Sequence, residues 1–151
     1  MIYKRYIKRL LDILIAIPLF IFFLPLMIIT SILIHFSTGR PFLPEIRLRE
    51  GKSKKPFKMY KFRSKIIGWE DKPYEERYTR ITKIIDVTRI NELPQLWNVI
   101  KGDMSIVGPR PFNVGEKLPD LLISEERYLV KPGITGLAQA KYGRGGRTLA
   151  S

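Results

Sequence analysis

Cysteine is absent from the 151-residue sequence, and His35 is its only histidine. Disulfides and thiolate metal sites are therefore excluded, and a zinc ion would lack its usual nitrogen and sulfur ligands. Any metal ion would be a hard, oxygen-liganded one such as Mg²⁺. Acidic residues are also scarce, since 14 Asp and Glu face 27 Lys and Arg and give a formal net charge of +13. Such a surface favours anionic partners: nucleic acid, anionic lipid or phosphorylated substrates.

A long apolar run near the N-terminus occupies residues 13–34 and is interrupted only by Pro18, Pro25, Thr30 and Ser31. As a helix it would measure roughly 33 Å, about the thickness of one hydrocarbon core. It is too long for a signal peptide, and no small-residue cleavage site follows it. The run therefore predicts a helix that enters the membrane.

Charge and proline placement bear on how this helix meets the membrane. Residues 1–10 and 37–65 are both strongly basic, and basic flanks tend to stay in the cytoplasm. A segment that enters and turns back satisfies both flanks, and Pro25 near its middle removes a backbone hydrogen bond and favours a bend. Each arm, of about a dozen residues, would be too short to cross. A single span with tolerated prolines is the alternative, and the residues alone leave both open.

Residues 89–111 combine acidic, amide and basic side chains with two glycines and three prolines. Four apolar side chains share one face of a short helix, namely Leu93, Leu96, Trp97 and Ile100. Gly102 would end this helix, and Asn91 and Glu92 would lie at or just before its start, where free N–H groups could hold a phosphate. For each residue alone, an ordinary capping or first-turn role is the plainer interpretation.

Basic residues on two other segments are candidate phosphate ligands. Arg110 lies between Pro109 and Pro111, on a stiff extended segment that suits a guanidinium aimed at a phosphate. Residues 57–64 alternate enough to predict a short strand, which would place Lys61 and Arg63 on the same side. For Lys61, a surface role over anionic headgroups explains the charge equally well.

The C-terminal part of the sequence is rich in glycine. Residues 131–139 contain two glycine-marked turns among small side chains, which suits a close approach of the backbone to a ligand or a neighbouring element. Residues 141–151 are glycine-rich and basic and include Arg144. By itself this tail could be disordered.

Several motifs, in order along nearly the whole chain, resemble those of the bacterial sugar transferases, also called monotopic phosphoglycosyl transferases. They are Lys-Arg-x-x-Asp at 8–12, Arg-x-Gly at 49–51, Tyr-Lys-Phe-Arg-Ser at 60–64, Glu-Leu-Pro-Gln-Leu at 92–96, Val-Gly-Pro-Arg-Pro at 107–111 and Pro-Gly-Ile-Thr-Gly-Leu-Ala-Gln at 132–139. The resemblance implies transfer of a sugar-1-phosphate from a UDP-sugar to undecaprenyl phosphate, the first membrane step of polysaccharide or glycoconjugate synthesis. It also implies Mg²⁺, an Asp-Glu dyad whose aspartate is the usual nucleophile, a covalent phosphosugar intermediate and UMP as the product.

The sequence departs from the family pattern at the dyad, where Asn91 stands in the place of the aspartate. An amide is a poor nucleophile and a weaker Mg²⁺ ligand than a carboxylate. Three interpretations follow: an inactive member, replacement of the covalent step by Glu92 or by direct attack of the lipid phosphate, or an altered aspartate. Arg47 also stands where the family usually has glutamine, and family members usually continue beyond the position of Ser151.

We therefore predict a helix-rich α/β, small membrane-associated domain at the cytoplasmic face of the bacterial inner membrane. A re-entrant, proline-broken membrane helix is expected at 1–36, and a cytoplasmic catalytic-type domain, truncated relative to the family, at 37–151. The expected catalytic positions are Asn91 and Glu92, with Glu92 as the Mg²⁺ ligand. The expected phosphate-binding residues are Lys61, Arg63, Arg110 and Arg144.

The expected partners are the UDP-sugar, undecaprenyl phosphate and anionic membrane lipid, with a second copy of the chain as a further candidate and no nucleic acid. One alternative is an inactive or impaired member that acts as a membrane-docked binding protein. A second is a membrane-tethered nucleic-acid-binding protein, which only the net charge and the aromatic residues support.

Overall fold

The computed structural model describes residues 6–39, 48–66, 68–115, 125–137 and 140. Its longest element is the helix α1, Lys8–Thr38, which is apolar enough and long enough to cross a membrane. Pro18 and Pro25 both lie inside it. It ends at Gly39, whose positive φ of 80° allows its N–H to bond the carbonyl of His35. The predicted long apolar helix is confirmed.

The rest of the described chain forms short elements. They are the helices α2 (Arg80–Val87) and α3 (Gln95–Lys101) and the strands β1 (Leu48–Glu50), β2 (Pro56–Lys58), β3 (Ser105–Val107) and β4 (Gly133–Thr135), with 3₁₀ segments at Lys52–Lys54, Tyr74–Arg77, Ile90–Glu92 and Glu125–Leu129. β1 and β2 pair antiparallel, and β3 and β4 pair parallel. This is the helix-rich α/β domain that the sequence predicts.

The predicted strand over residues 57–64 is wrong in extent, because β2 covers only Pro56–Lys58. Beyond it the backbone finds other partners: Tyr60 N–H donates to the Asn98 side chain, and Phe62 N–H donates to the carbonyl of Asn91. These partners lie on helical segments and not on a neighbouring strand. Lys61 and Arg63 consequently do not share one side of a strand.

Helix α1 contributes to two separate apolar clusters of the folded domain. Near its start, Ala16 packs with residues of α3 and β3, in a cluster of Ala16, Leu96, Val99 and Met104. Near its end, Ile34 packs with Phe62 and with Ile85 of α2. Other α1 side chains, such as Ile21 and Phe22, are exposed. The helix is therefore held to the domain along one face and presents an apolar face outward.

Polar contacts fix both ends of α1 to the same domain. The buried carboxylate of Asp12 accepts from Lys8 Nζ at 2.7 Å, from Ser105 Oγ at 2.9 Å and from the N–H of Ile106 at 3.0 Å. At the other end, the hydroxyls of Ser37 and Thr79 lie 2.7 Å apart. The two ends of this 31-residue helix thus contact one folded unit.

The backbone of β4 and the residue that directly follows β3 approach so closely that glycine is required at both Gly133 and Gly108. A methyl group on Gly133 would lie 2.1 Å from the backbone nitrogen of Gly108. Gly108 N–H donates to Thr135 O and Gly133 N–H donates to Pro109 O, each at 2.9 Å. This contact confirms the close backbone approach that the glycine-marked turns predict, and it fixes the segment that carries Arg110.

Replacing Gly133 by alanine is expected to destabilise the domain by about 2 kcal/mol or more, because backbone atoms must move apart to admit the methyl group. Thermal unfolding of the detergent-solubilised protein measures the effect as a lowered Tm. Thr135→Ala, an exposed change on the same strand, is the matched control and should shift the Tm little. Equal Tm values for the two variants would contradict the close packing of these strands.

Candidate active site

A cavity of about 420 Å³ lies between α1 and the rest of the domain. Leu19 and Phe23 of α1 form part of its wall. Four cationic side chains line it as well, namely Arg49, Lys61, Arg89 and Arg110. Among the described lining residues Glu92 is the only carboxylate. The cavity therefore joins a strongly positive region to an apolar wall supplied by α1.

Glu92 is held between two of these cations. Its Oε1 lies 2.9 Å from Arg89 Nη1 and 3.6 Å from Lys61 Nζ. Arg89 reaches Glu92 because its own backbone is left-handed, with a φ of 63°, so that the chain turns sharply before the 3₁₀ segment. No sequence pattern marks Arg89, because its part in the cavity depends on this unusual backbone conformation.

Arg110 lines the cavity from a segment that is fixed on both sides. Gly108 and Pro109 hydrogen-bond to β4, and the guanidinium of Arg127 donates to the carbonyl of Arg110. Arg127 also stacks on the ring of Phe112 at 3.4 Å, and burial lowers its pKa. A rigid segment aims Arg110 at the cavity, as its flanking prolines predict.

Asn91 is buried, with only 1% of its surface exposed. Its side-chain N–H donates to Asp86 Oδ1 at 3.0 Å, and its backbone carbonyl accepts from Phe62. The side-chain oxygen, in contrast, is buried and has no hydrogen-bond partner among the described residues. Asn91 does not line the cavity, although the adjacent Glu92 does.

The predicted phosphate ligands differ in their position relative to the cavity. Lys61 and Arg110 line the same cavity as Glu92. Arg63 is only 3% exposed and is absent from the cavity wall. Arg144, like Arg47, lies outside the described residues. The structure thus brings together Lys61, Glu92 and Arg110, and the roles of all these residues stay predictions.

Asn98 of α3 is a residue whose contacts the sequence pattern does not specify. It is fully buried. Its amide nitrogen donates to the carbonyl of Lys58 at 2.8 Å, and its oxygen accepts from the N–H of Tyr60 at 2.9 Å. One side chain therefore ties α3 to the segment that carries Lys61 into the cavity.

Replacing Asn98 by alanine is expected to cost about 2–4 kcal/mol of stability, because two buried backbone groups lose their partners. The Tm should fall, because α3 loses its tie to the segment that carries Lys61. Lys101→Ala, an exposed change on the same helix, should change the stability by only about 0.5 kcal/mol. An Asn98→Ala protein as stable as this control would show that the Lys58–Tyr60 segment is held by other contacts.

The oxygen donors at this site suit a hard cation. Glu92 offers a carboxylate to the cavity, whereas the side-chain oxygen of the neighbouring Asn91 is buried outside the cavity wall. Groups of three or more His, Cys, Asp or Glu that could hold a metal ion by themselves are absent from the part of the chain that the structure describes. Mg²⁺ commonly uses one or two protein oxygens together with substrate phosphates and water, and the residues present fit that mode.

Similarity to known proteins extends over nearly the whole chain. The profile of the bacterial sugar transferase family matches residues 3–150. A UDP-N-acetylgalactosamine-undecaprenyl-phosphate N-acetylgalactosaminephosphotransferase of Aeromonas hydrophila is 39% identical over 147 residues, which are 91% of this chain and 34% of that protein. A UDP-glucose:undecaprenyl-phosphate glucose-1-phosphate transferase of Caulobacter vibrioides is 36% identical over 152 residues, 92% of this chain and 55% of that protein.

A further relative, the UDP-glucose:undecaprenyl-phosphate glucose-1-phosphate transferase of Escherichia coli, is 35% identical over 151 residues, 94% of this chain and 32% of that protein. This chain spans between about a third and just over half of the length of these three relatives. The match nevertheless includes the membrane helix, the cationic cavity and the glycine-dependent strand pair. The chain belongs to the bacterial sugar transferase family.

Proposed function

We propose that this protein transfers a sugar-1-phosphate from a UDP-sugar to undecaprenyl phosphate at the cytoplasmic face of the bacterial inner membrane. The observation that carries the proposal is the composition of one cavity wall: Arg110, Lys61 and Glu92 face the same space as Leu19 and Phe23 of the membrane helix. A reaction between a soluble nucleotide sugar and a lipid phosphate requires such a meeting of charged and apolar surfaces. The three relatives are named for a UDP-sugar and undecaprenyl phosphate, which is the same pair of substrates.

The cationic residues have distinct roles in this proposal. Arg110, on its rigid segment, binds the diphosphate through paired N–H groups. Lys61 adds a compact positive charge beside Glu92, and Arg89 orients the Glu92 carboxylate from the other side. When bound, Mg²⁺ would be held by Glu92 together with phosphate oxygens of the substrate, and it would neutralise charge on the diphosphate. The basic surface is accounted for by anionic lipid beside α1, without nucleic acid.

Two chemical routes are compatible with Asn91. In the first, the Glu92 carboxylate attacks the phosphorus that bears the sugar, UMP leaves, and the lipid phosphate then takes the phosphosugar. In the second, an oxygen of the lipid phosphate attacks that phosphorus directly and UMP leaves in the same step. The mass of the intact protein after reaction with UDP-sugar alone separates the two, because only the first adds a sugar phosphate to the chain.

Release of UMP is the direct test of the proposed function. The full chain is incubated with Mg²⁺, undecaprenyl phosphate and each of a panel of UDP-sugars, and UMP is measured with and without the lipid. Lipid-dependent UMP release with at least one sugar is expected. Failure of both this chain and its Asn91→Asp form to release UMP from any sugar would overturn the assignment.

An impaired, binding-only member of the family is the second candidate, and the placement of Asn91 favours it. The side chain is buried and bonded to Asp86, so it presents no reactive group to the cavity. A protein of this kind would bind UDP-sugar through Arg110 and Lys61 without releasing UMP. Retained UDP-sugar binding together with absent turnover would favour this candidate over the transferase.

We further propose that α1 is re-entrant. Its two ends contact one folded unit, through Asp12 at the start and Ser37 at the end. A helix that crossed the bilayer would place those ends on opposite sides, where a single domain of this size could not hold both. A helix that enters and turns back keeps both ends on the cytoplasmic side.

Engineered cysteines give a clean test of this topology, because the sequence has no cysteine of its own. Tyr6→Cys, before α1, and Val114→Cys, beyond it, both change exposed side chains. We expect a membrane-impermeant maleimide to label both in inverted vesicles and neither in intact spheroplasts. Labelling of the two positions from opposite sides would establish a single span and exclude the re-entrant arrangement.

A further inference from the structure

A second cationic cluster lies at the start of α1, and none of its residues lines the cavity. It is centred on Gly102, at the end of α3. A methyl group on Gly102 would lie 3.3 Å from Lys131 Nζ and 3.4 Å from Arg9 Nη2, so both cationic nitrogens lie beside the same point. Lys52 is close enough to add to the positive potential at Lys131.

The charges in this cluster are not balanced by the nearby acids. The carboxylate of Asp12 pairs with Lys8 at 2.7 Å, and that of Asp103 pairs with Lys101 at 3.4 Å. Each acid therefore has a cation of its own, and three positive groups remain: Arg9, Lys52 and Lys131.

Lys131 is a half-buried cation of this cluster. Arg9 donates to the carbonyls of Val99 and Ile100, whereas the Lys131 ammonium has no hydrogen bond or ion pair among the described residues. Burial lowers the pKa of Lys131, and the positive charges of Arg9 and Lys52 lower it further. The negative charges of Asp12 and Asp103 raise the pKa by less than this. Cations held together in a partly desolvated place repel each other, and a bound anion relieves that repulsion.

Apolar side chains flank the cluster on two of the three chain segments that form it. Leu10 and Leu14 follow Arg9 and are exposed, and Leu129 and Val130, which precede Lys131, are also exposed. A soluble phosphate would gain nothing from these side chains. A phospholipid would use both features, with its phosphate on the cations and its chains beside the leucines.

We propose that Arg9, Lys52 and Lys131 form a binding site for the phosphate of an anionic glycerophospholipid, separate from the substrate cavity. The site lies at the start of α1, just before its apolar run begins. An occupied site would fix the start of α1 and the β4 segment against the lipid headgroups.

The test measures the Tm of the full chain in neutral detergent micelles that contain phosphatidylglycerol or, at the same mole fraction, phosphatidylcholine. Phosphatidylglycerol is expected to raise the Tm by about 3 °C or more relative to phosphatidylcholine. The rise should fall by at least half in Lys131→Gln and in Lys52→Gln. Lys83→Gln, which removes an exposed charge from α2, is the matched control and should retain the full rise.

Three outcomes would overturn the proposal. One is an equal rise in the parent, Lys131→Gln and Lys52→Gln, which would indicate general attraction to anionic micelles. The second is an equal rise with soluble glycerol phosphate, which would assign the site to free phosphate. The third is a Tm for Lys131→Gln well below that of the parent in phosphatidylcholine alone, because removing an uncompensated cation should leave the stability unchanged or raise it. A Lys131→Gln protein that does not fold counts as this third outcome, and the exposed Lys52→Gln then tests the first two.

Discussion

Release of UMP is expected to rise by at least about 100-fold when Asn91 is replaced by aspartate. The new carboxylate could act as the nucleophile that family resemblance implies, whereas the amide cannot. Its position should change as well. The amide is held by Asp86 at 3.0 Å, and a carboxylate cannot donate that hydrogen bond. Repulsion from Asp86 and attraction to Lys61 and Arg89 would both turn the side chain toward the cavity.

The same substitution carries a stability cost that depends on pH. Two ionised carboxylates near hydrogen-bond distance repel, and the loss is about 1–3 kcal/mol at neutral pH. As the pH falls, one of them takes up a proton and can donate to the other, and this uptake begins above the ordinary carboxyl range of about pH 4. The folded Asn91→Asp protein then holds that proton more tightly than the unfolded chain does. Its stability relative to the parent is therefore best at low pH and falls as the pH rises toward 7.

A double replacement, Asp86→Asn with Asn91→Asp, is the matched control for this cost. It restores an amide–carboxylate pair with donor and acceptor exchanged, so the Tm at pH 7 should return close to that of the parent. If the single and double variants both bind UDP-sugar but release no UMP, a carboxylate at position 91 is not what the site lacks. The nucleophile assignment would then fail, while the phosphate-binding roles of the cavity would stand.

Local sequence signals predicted the parts of this structure that depend on local chemistry. The apolar run predicted α1, and Gly102 predicted the end of α3. Gly102 has a φ of 96°, and its N–H donates to the carbonyls of Asn98 and Val99. The proline-framed Arg110 does lie on a fixed segment. The glycine-marked turns do make a close backbone contact, at Gly108 and Gly133.

Features that depend on distant partners could not be predicted from these signals. Alternation over residues 57–64 predicted a strand, but Asn98, some forty positions later, takes the backbone groups that a strand would use. The burial of Arg63 follows from that different path. Arg89 joins Glu92 only because its backbone is left-handed, a conformation that its residue type does not signal.

Arg110→Ala is expected to lower kcat/KM for the UDP-sugar by about 100- to 1000-fold, because a preorganised cation in a partly enclosed cavity is lost. Arg110→Lys should recover only part of this, since an ammonium cannot make two parallel bonds to one phosphate. The Tm should change little in either variant, because the carbonyl of residue 110 still accepts from Arg127. Arg80→Ala, which removes an exposed charge from α2, should leave both quantities near the parent values. Binding of UDP-sugar by Arg110→Ala as tight as by the parent would remove Arg110 from the diphosphate site and leave Lys61, Arg89 and Arg49 as its cations.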